Sequence, residues 1–155
     1  MLRSRALVQQ EVADVAIGRT GLVAAAFLDP NHGVAVFDSE SGRVVSELRG
    51  PGGEVRSLSF SPDGRWLATG GADGTGAVWD ASSGRLVTTL RGHRGTIVAV
   101  RFGSDGRQVL TAGKDGTARI HDCRACVPLD RLLASVGDST SRGLTAEERA
   151  RFLIP

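Results

Sequence analysis

No apolar run in this chain is long enough to cross a membrane. The longest, LVAAAFL, covers only residues 22–28, and a spanning helix needs about 20 such residues. The opening stretch MLRSRALVQQEVADVAIG is positively charged but lacks the continuous apolar segment of a secretion signal. Cysteine is scarce, with two in 155 residues. Without a secretion signal, that scarcity leads us to expect a soluble cytoplasmic protein with reduced thiols. Neither sign of charge dominates: 19 Lys and Arg stand against 17 Asp and Glu, a net +2. Charge therefore gives no reason to expect a nucleic-acid or membrane partner. No Gly-Lys-Ser/Thr loop opens a helix, which excludes a nucleotide-binding P-loop. Proline numbers five against 21 glycines, and with no triplet period that excess signals many tight turns.

What is present is repetition. FSPDGRWLATGGADGTGAVWD (60–80) lies over FGSDGRQVLTAGKDGTARIHD (102–122) at a fixed offset, and DSESGRVVSELRGPGG (38–53) lies over DASSGRLVTTLRGHRG (80–95). A degenerate earlier copy, EVADVAIGRTGLVAAAFLDPNHGVAVFD, fills 11–38. Within a unit, short β-branched and apolar runs alternate with turn clusters: EVRSLSF, SPDG, RWLAT, GGADG, TGAVWD, ASSG, RLVTTL. That grammar predicts four strands and three tight turns per unit. The Asp-Gly pairs at 73–74 and 115–116 read as turns whose glycines need positive φ.

With RGH at 91–93, the VWD ending at Asp80 and the SGR turns, the sequence resembles the WD-repeat β-propeller family. The resemblance implies an all-β fold: a partial, three-blade propeller of four-stranded antiparallel blades over 1–122. Its units fall at 11–53, 54–95 and 96–122. Typical members carry a buried tetrad of His, Asp, Ser or Thr, and Trp. Carried over, the last repeat offers His93, Thr111 and Asp115, with His121 in the Trp place. The middle repeat offers Thr69, Asp73 and Trp79, with Pro51 where His is expected. The first has Asn31 and Phe37 at the Asp and Trp places. No repeat has the full set, so His93–Asp115 is the contact expected to form.

The family also implies a non-enzymatic module that binds a protein partner. No cofactor is expected. Asp63, Asp73, Asp105 and Asp115 recur in turns and the three histidines are scattered, so no catalytic constellation stands out. The connecting loops, with Arg49, Arg56, Arg91, Arg94 and Lys114, form the candidate binding face. An alternative use of these cations is a phosphate or small ligand. His121, Cys123 and Cys126 make a weak half of a metal site, since zinc usually takes four ligands. The alternative there is two partly buried thiols.

After Asp122 the pattern changes. PLDRLLASVG has helical spacing, and TAEERARFL carries Thr145 as N-cap with Glu148 three residues on. Residues 123–155 therefore read as an α-helical tail, like that of some bacterial WD-repeat signalling proteins, of which this chain would be a terminal part. Segments 43–48, 85–90 and 5–9 read as outer strands, while the last unit lacks one. Three blades cannot close on themselves. Two resolutions follow: a head-to-tail homodimer in which 5–9 completes the partner's last blade, or missing upstream blades.

Overall fold

The computed structural model describes residues 10–28, 33–50 and 53–126. The expected tail helices, the outer strand at 5–9, Asn31 and Pro51 lie outside the described residues. Among the described residues, eleven strands form three antiparallel sheets. Blade 1 is β1 (Val12–Ile17), β2 (Leu22–Phe27), β3 (Val34–Asp38) and β4 (Val44–Leu48). Blade 2 is β5 (Val55–Phe60), β6 (Trp66–Gly71), β7 (Gly76–Asp80) and β8 (Leu86–Leu90). Blade 3 has β9 (Ile97–Phe102), β10 (Gln108–Gly113) and β11 (Ala118–Asp122), three strands among the described residues. In every blade each strand pairs with the next in sequence.

Burial differs between blades 2 and 3. In blade 2, all six residues of β6 are buried, because both faces are covered. β10 of blade 3 alternates, burying Val109 and Thr111 while Gln108 and Leu110 are exposed. That period of two marks a strand covered on one face only. One core cluster joins blades 1 and 2 through Val36, Leu48, Leu58, Leu67 and Trp79. A second joins blades 2 and 3 through Trp66, Val78, Leu90, Val100 and Val109.

Side chains on the inner strands also bond the blades together. Asp14 Oδ2 accepts from Leu58 N (2.7 Å), and Ser57 Oγ and Ser59 Oγ accept from Val100 N and Phe102 N (both 3.2 Å). Ser46 Oγ donates to Ala81 O (2.6 Å) at the outer rim. Each bond satisfies a backbone or hydroxyl group that neighbouring blades would otherwise bury unpaired.

The turn between the third and fourth strands is held by the aspartate that ends each VWD-like segment. Asp38 Oδ1 accepts from the Ser41 amide and hydroxyl, and Asp80 Oδ1 from those of Ser82 and Ser83. Burial pushes the Asp80 carboxyl up, but these four bonds outweigh it and its pKa falls below the usual value. Asp122 is followed by CRAC instead of serines. The chain there enters a 3-10 turn, Arg124–Cys126, rather than a hairpin.

Gly74 and Gly116 both have positive φ, +84° and +76°, as the turn reading requires. Their surroundings differ. A Cβ on Gly74 would lie 2.8 Å from His93 O, on the loop entering blade 3, whereas one on Gly116 meets nothing within 4 Å. Gly116→Ala should therefore cost only the left-handed backbone term, roughly 1–2 kcal/mol. Gly74→Ala should cost about 1–3 kcal/mol more, for overpacking against a backbone that cannot yield. Equal losses in urea unfolding would contradict this placement.

Candidate functional site

Four side chains of blade 3 join in one hydrogen-bonded chain. His93 Nδ1 lies 3.0 Å from both oxygens of Asp115, and His93 Nε2 lies 2.9 Å from Thr111 Oγ1. Thr111 Oγ1 is in turn 3.0 Å from His121 Nε2. A carboxylate only accepts, so His93 Nδ1–H donates to Asp115. Thr111 Oγ1 bridges the two rings, accepting from one and donating to the other. Thr111 is wholly buried, so the two rings are the partners its hydroxyl needs.

Asp115 also accepts from Arg94 N (2.9 Å), Thr117 N (3.0 Å) and Thr117 Oγ1 (2.8 Å). The Arg94 amide first, then His93 and Thr117, hold its carboxyl far below the ordinary range despite some desolvation. The carboxylate thereby ties the turn before β11 to the loop before β9. Gly113 is required beside it, because a Cβ there would collide with His93 Nδ1.

Blade 2 has a shorter version. Trp79 Nε1–H donates to Thr69 Oγ1 (3.1 Å), and Thr69 sits 3.5 Å from Ala77 O. Asp73 accepts from Thr75 N (2.7 Å) and so caps its own turn. In blade 1, Phe37 packs with Val12, Ala25, Phe27 and Ala35. Its register shows Phe37 opposite Val23, where Trp79 stands opposite Leu67. Ala25 thus takes the Thr69 place, and the connection after β2 is longer than its counterpart after β6.

Sequence reasoning missed Arg119. A Cβ on Gly50 would lie 2.5 Å from the outer ring of Trp79, whereas a Cβ on Gly92 would lie 3.1 Å from the Arg119 guanidinium. Gly50 and Gly92 are matching positions. His121 is shorter than an indole, and Arg119 fills the space over Gly92 that the Trp79 ring fills over Gly50. The register offered the signal: Arg119 faces Thr111 as Ala77 faces Thr69.

Burial first, then the charges of His93 and Arg119, hold the His121 pKa below its usual value. The folded state then binds fewer protons than the unfolded chain, whose histidine titrates near about 6.5. This stabilisation is complete above that pH and is lost as pH falls toward the folded pKa. Melting temperature should decline on acidification from pH 7 to 5. His121→Gln keeps an N–H donor and cannot titrate, so it should flatten the decline. An unchanged slope in that variant would assign the pH dependence elsewhere.

Of the candidate loop cations, Arg56 and Lys114 come together. They line a cavity of about 310 Å³ with Ala72, Thr96 and Val98, at the junction of blades 2 and 3. Arg56 is paired with Glu54 (2.7 Å) and Arg49 with Glu47 (3.2 Å). Arg91 and Arg94 are exposed on the loop before β9. Arg49 belongs to a separate hollow on blade 1.

The half metal site does not assemble. Cys123 and Cys126 are joined to each other as a disulfide, and both are buried in the core between blades 2 and 3. The expectation of partly buried, reduced thiols is corrected accordingly. The 3-10 turn brings the two residues together, with Cys126 N bonded to Cys123 O (3.1 Å), and Trp66 Nε1 donates to Cys126 O (3.1 Å). His121 meanwhile turns to Thr111. Among the described residues, no cluster of three metal-ligating side chains occurs.

The WD domain, G-beta repeat family matches residues 42–80 and 84–122, half of the chain. Each matched unit holds the outer strand of one blade and the inner three of the next, so consecutive units interlock. A human protein, WD repeat-containing protein 36, is 40% identical over 40 residues, covering 26% of this chain and 4% of that protein. The crystal structure of the Myceliophteria thermophila Cps50 (Swd1) beta-propeller domain superposes with a TM-score of 0.65 at 21% identity. That match covers 76% of this chain and 37% of the other. The chain thus spans well under half the length of these relatives. With its interlocked four-strand units and the His93–Asp115 network, this chain belongs to the WD-repeat family and folds as part of a β-propeller.

Proposed function

We propose that the chain is a non-enzymatic scaffold that binds a protein partner through the loop face of blades 2 and 3. It would act as the terminal part of a larger bacterial signalling protein. The observation that carries this reading is the cavity of Arg56, Ala72, Thr96, Val98 and Lys114. Cation, hydroxyl and apolar surface meet there on rigid elements. An acidic side chain of a partner would be met by Lys114 and by Arg56 exchanging from Glu54, with Val98 as apolar contact. A phosphate or small anion is the second reading. Ala72 and Val98 favour the first, because a lone inorganic anion gains nothing from an apolar lining.

Immobilised protein should capture a discrete partner from the source cells. Arg56→Glu with Lys114→Glu should reduce that capture about tenfold or more, a loss of roughly 1.4 kcal/mol. Inorganic phosphate at millimolar concentration should not displace the partner. Displacement by phosphate, with a steep salt dependence, would favour the anion reading instead.

A further inference from the structure

The two internal blade junctions are built alike. The inner strand of the later blade lies on the first two strands of the earlier one: β5 on β1 and β2, and β9 on β5 and β6. One register pair marks the earlier blade's side. It is Ala24 opposite Val36 in blade 1 and Ala68 opposite Val78 in blade 2, and all four are fully buried. The same pair in blade 3 is Leu110 opposite Ile120, which are 46% and 66% exposed.

The later blade's side shows the converse. Leu58 opposite Thr69 and Val100 opposite Thr111 are buried in the junctions. Their blade 1 equivalent is Val15, opposite Ala25 and 62% exposed, and two residues on Ile17 is 78% exposed. The outer half of that blade 1 face, with Ala25, Phe27, Ala35 and Phe37, is already buried. What stays open is the inner-strand strip, whose counterparts β5 and β9 make the strand-to-strand contacts of the internal junctions.

Side-chain sizes at the two open ends compensate. Leu110 is larger than Ala24 or Ala68 at the matching place. Ile17 is smaller than Phe60 or Phe102, which stand opposite Leu67 and Val109 as Ile17 stands opposite Val23. An enlarged receiving face suits a reduced incoming strand, and this chain carries both. Propellers close with about four to eight blades, and a head-to-tail contact closes when its rotation completes a ring.

We propose that the Leu110–Ile120 face of blade 3 receives the Val15–Ile17 strip of a second copy of this chain. Two copies then close head to tail into a six-bladed ring. This surface is separate from the loop face and does not depend on the partner proposed for it.

Light scattering coupled to size-exclusion chromatography should give a discrete particle of two chains. Ile17→Arg and Ile120→Arg each alter one end at an exposed position, so each should keep the wild-type circular dichroism and be monomeric. Mixed in equal amounts, the two variants should form a two-chain particle, because each retains the end the other lacks. A wild-type monomer would assign both faces to further blades of a longer polypeptide and overturn the proposal. So would an open-ended series of sizes, a dimer insensitive to both variants, or a mixture that stays monomeric.

Discussion

Trp79→Ala is expected to cost about 3–5 kcal/mol, the usual range for emptying a buried aromatic site. Against a typical total of about 5–15 kcal/mol, that is enough to leave the chain close to unfolded. Trp79 is 4% exposed and belongs to the core that joins blades 1 and 2. Its outer ring rests on Gly50, and its indole N–H satisfies the buried Thr69 hydroxyl. Alanine removes the packing of two blades and leaves that hydroxyl only Ala77 O at 3.5 Å, and the sheets on either side cannot collapse into the space. Trp79→Phe, which keeps most of the volume, should cost distinctly less. Urea midpoints of the two variants measure both, and a loss below about 1 kcal/mol for alanine would contradict the packing described.

His93→Ala is the second large loss, expected at about 1–3 kcal/mol for leaving the buried Thr111 hydroxyl only one of its two ring partners. The effect should be local. Asp115 keeps its bonds from Arg94 and Thr117, so the turn before β11 persists, while the link from β10 to the loop before β9 is cut. His93→Asn is the informative comparison: its amide can reach one of the two partners but not both. It should fall between the wild type and alanine in thermal melts. Equal melting temperatures for all three proteins would mean the network adds nothing to stability.

Much of the fold is legible in the sequence because each blade repeats the same local instructions. Asp-Gly turns, β-branched runs and a closing aspartate recur in register, and the strands form where those runs stand. The His93, Thr111 and Asp115 positions could be read for the same reason, since they occupy fixed places in a repeated unit. What could not be read depends on departures from the repeat. Arg119 fills the space left by a histidine in a tryptophan's place, and only the strand register reveals it. The longer connection after β2 moves Ala25 into the threonine place, which offset alone assigns differently. The disulfide accompanies a 3-10 turn that stands where the other blades have a serine turn. Gly74 and Gly116 look identical in sequence, and only the neighbouring blade makes them different.

Blade 3 is held together, and tied to the loop that enters it, by the chain of bonds from Asp115 through His93 and Thr111 to His121. Amide hydrogen exchange, compared between the wild type and His93→Ala, tests this most directly. The expected result is loss of protection in β9, β10 and β11, with β5 to β7 keeping theirs. Protection unchanged in blade 3, or lost equally across all the strands, would contradict it.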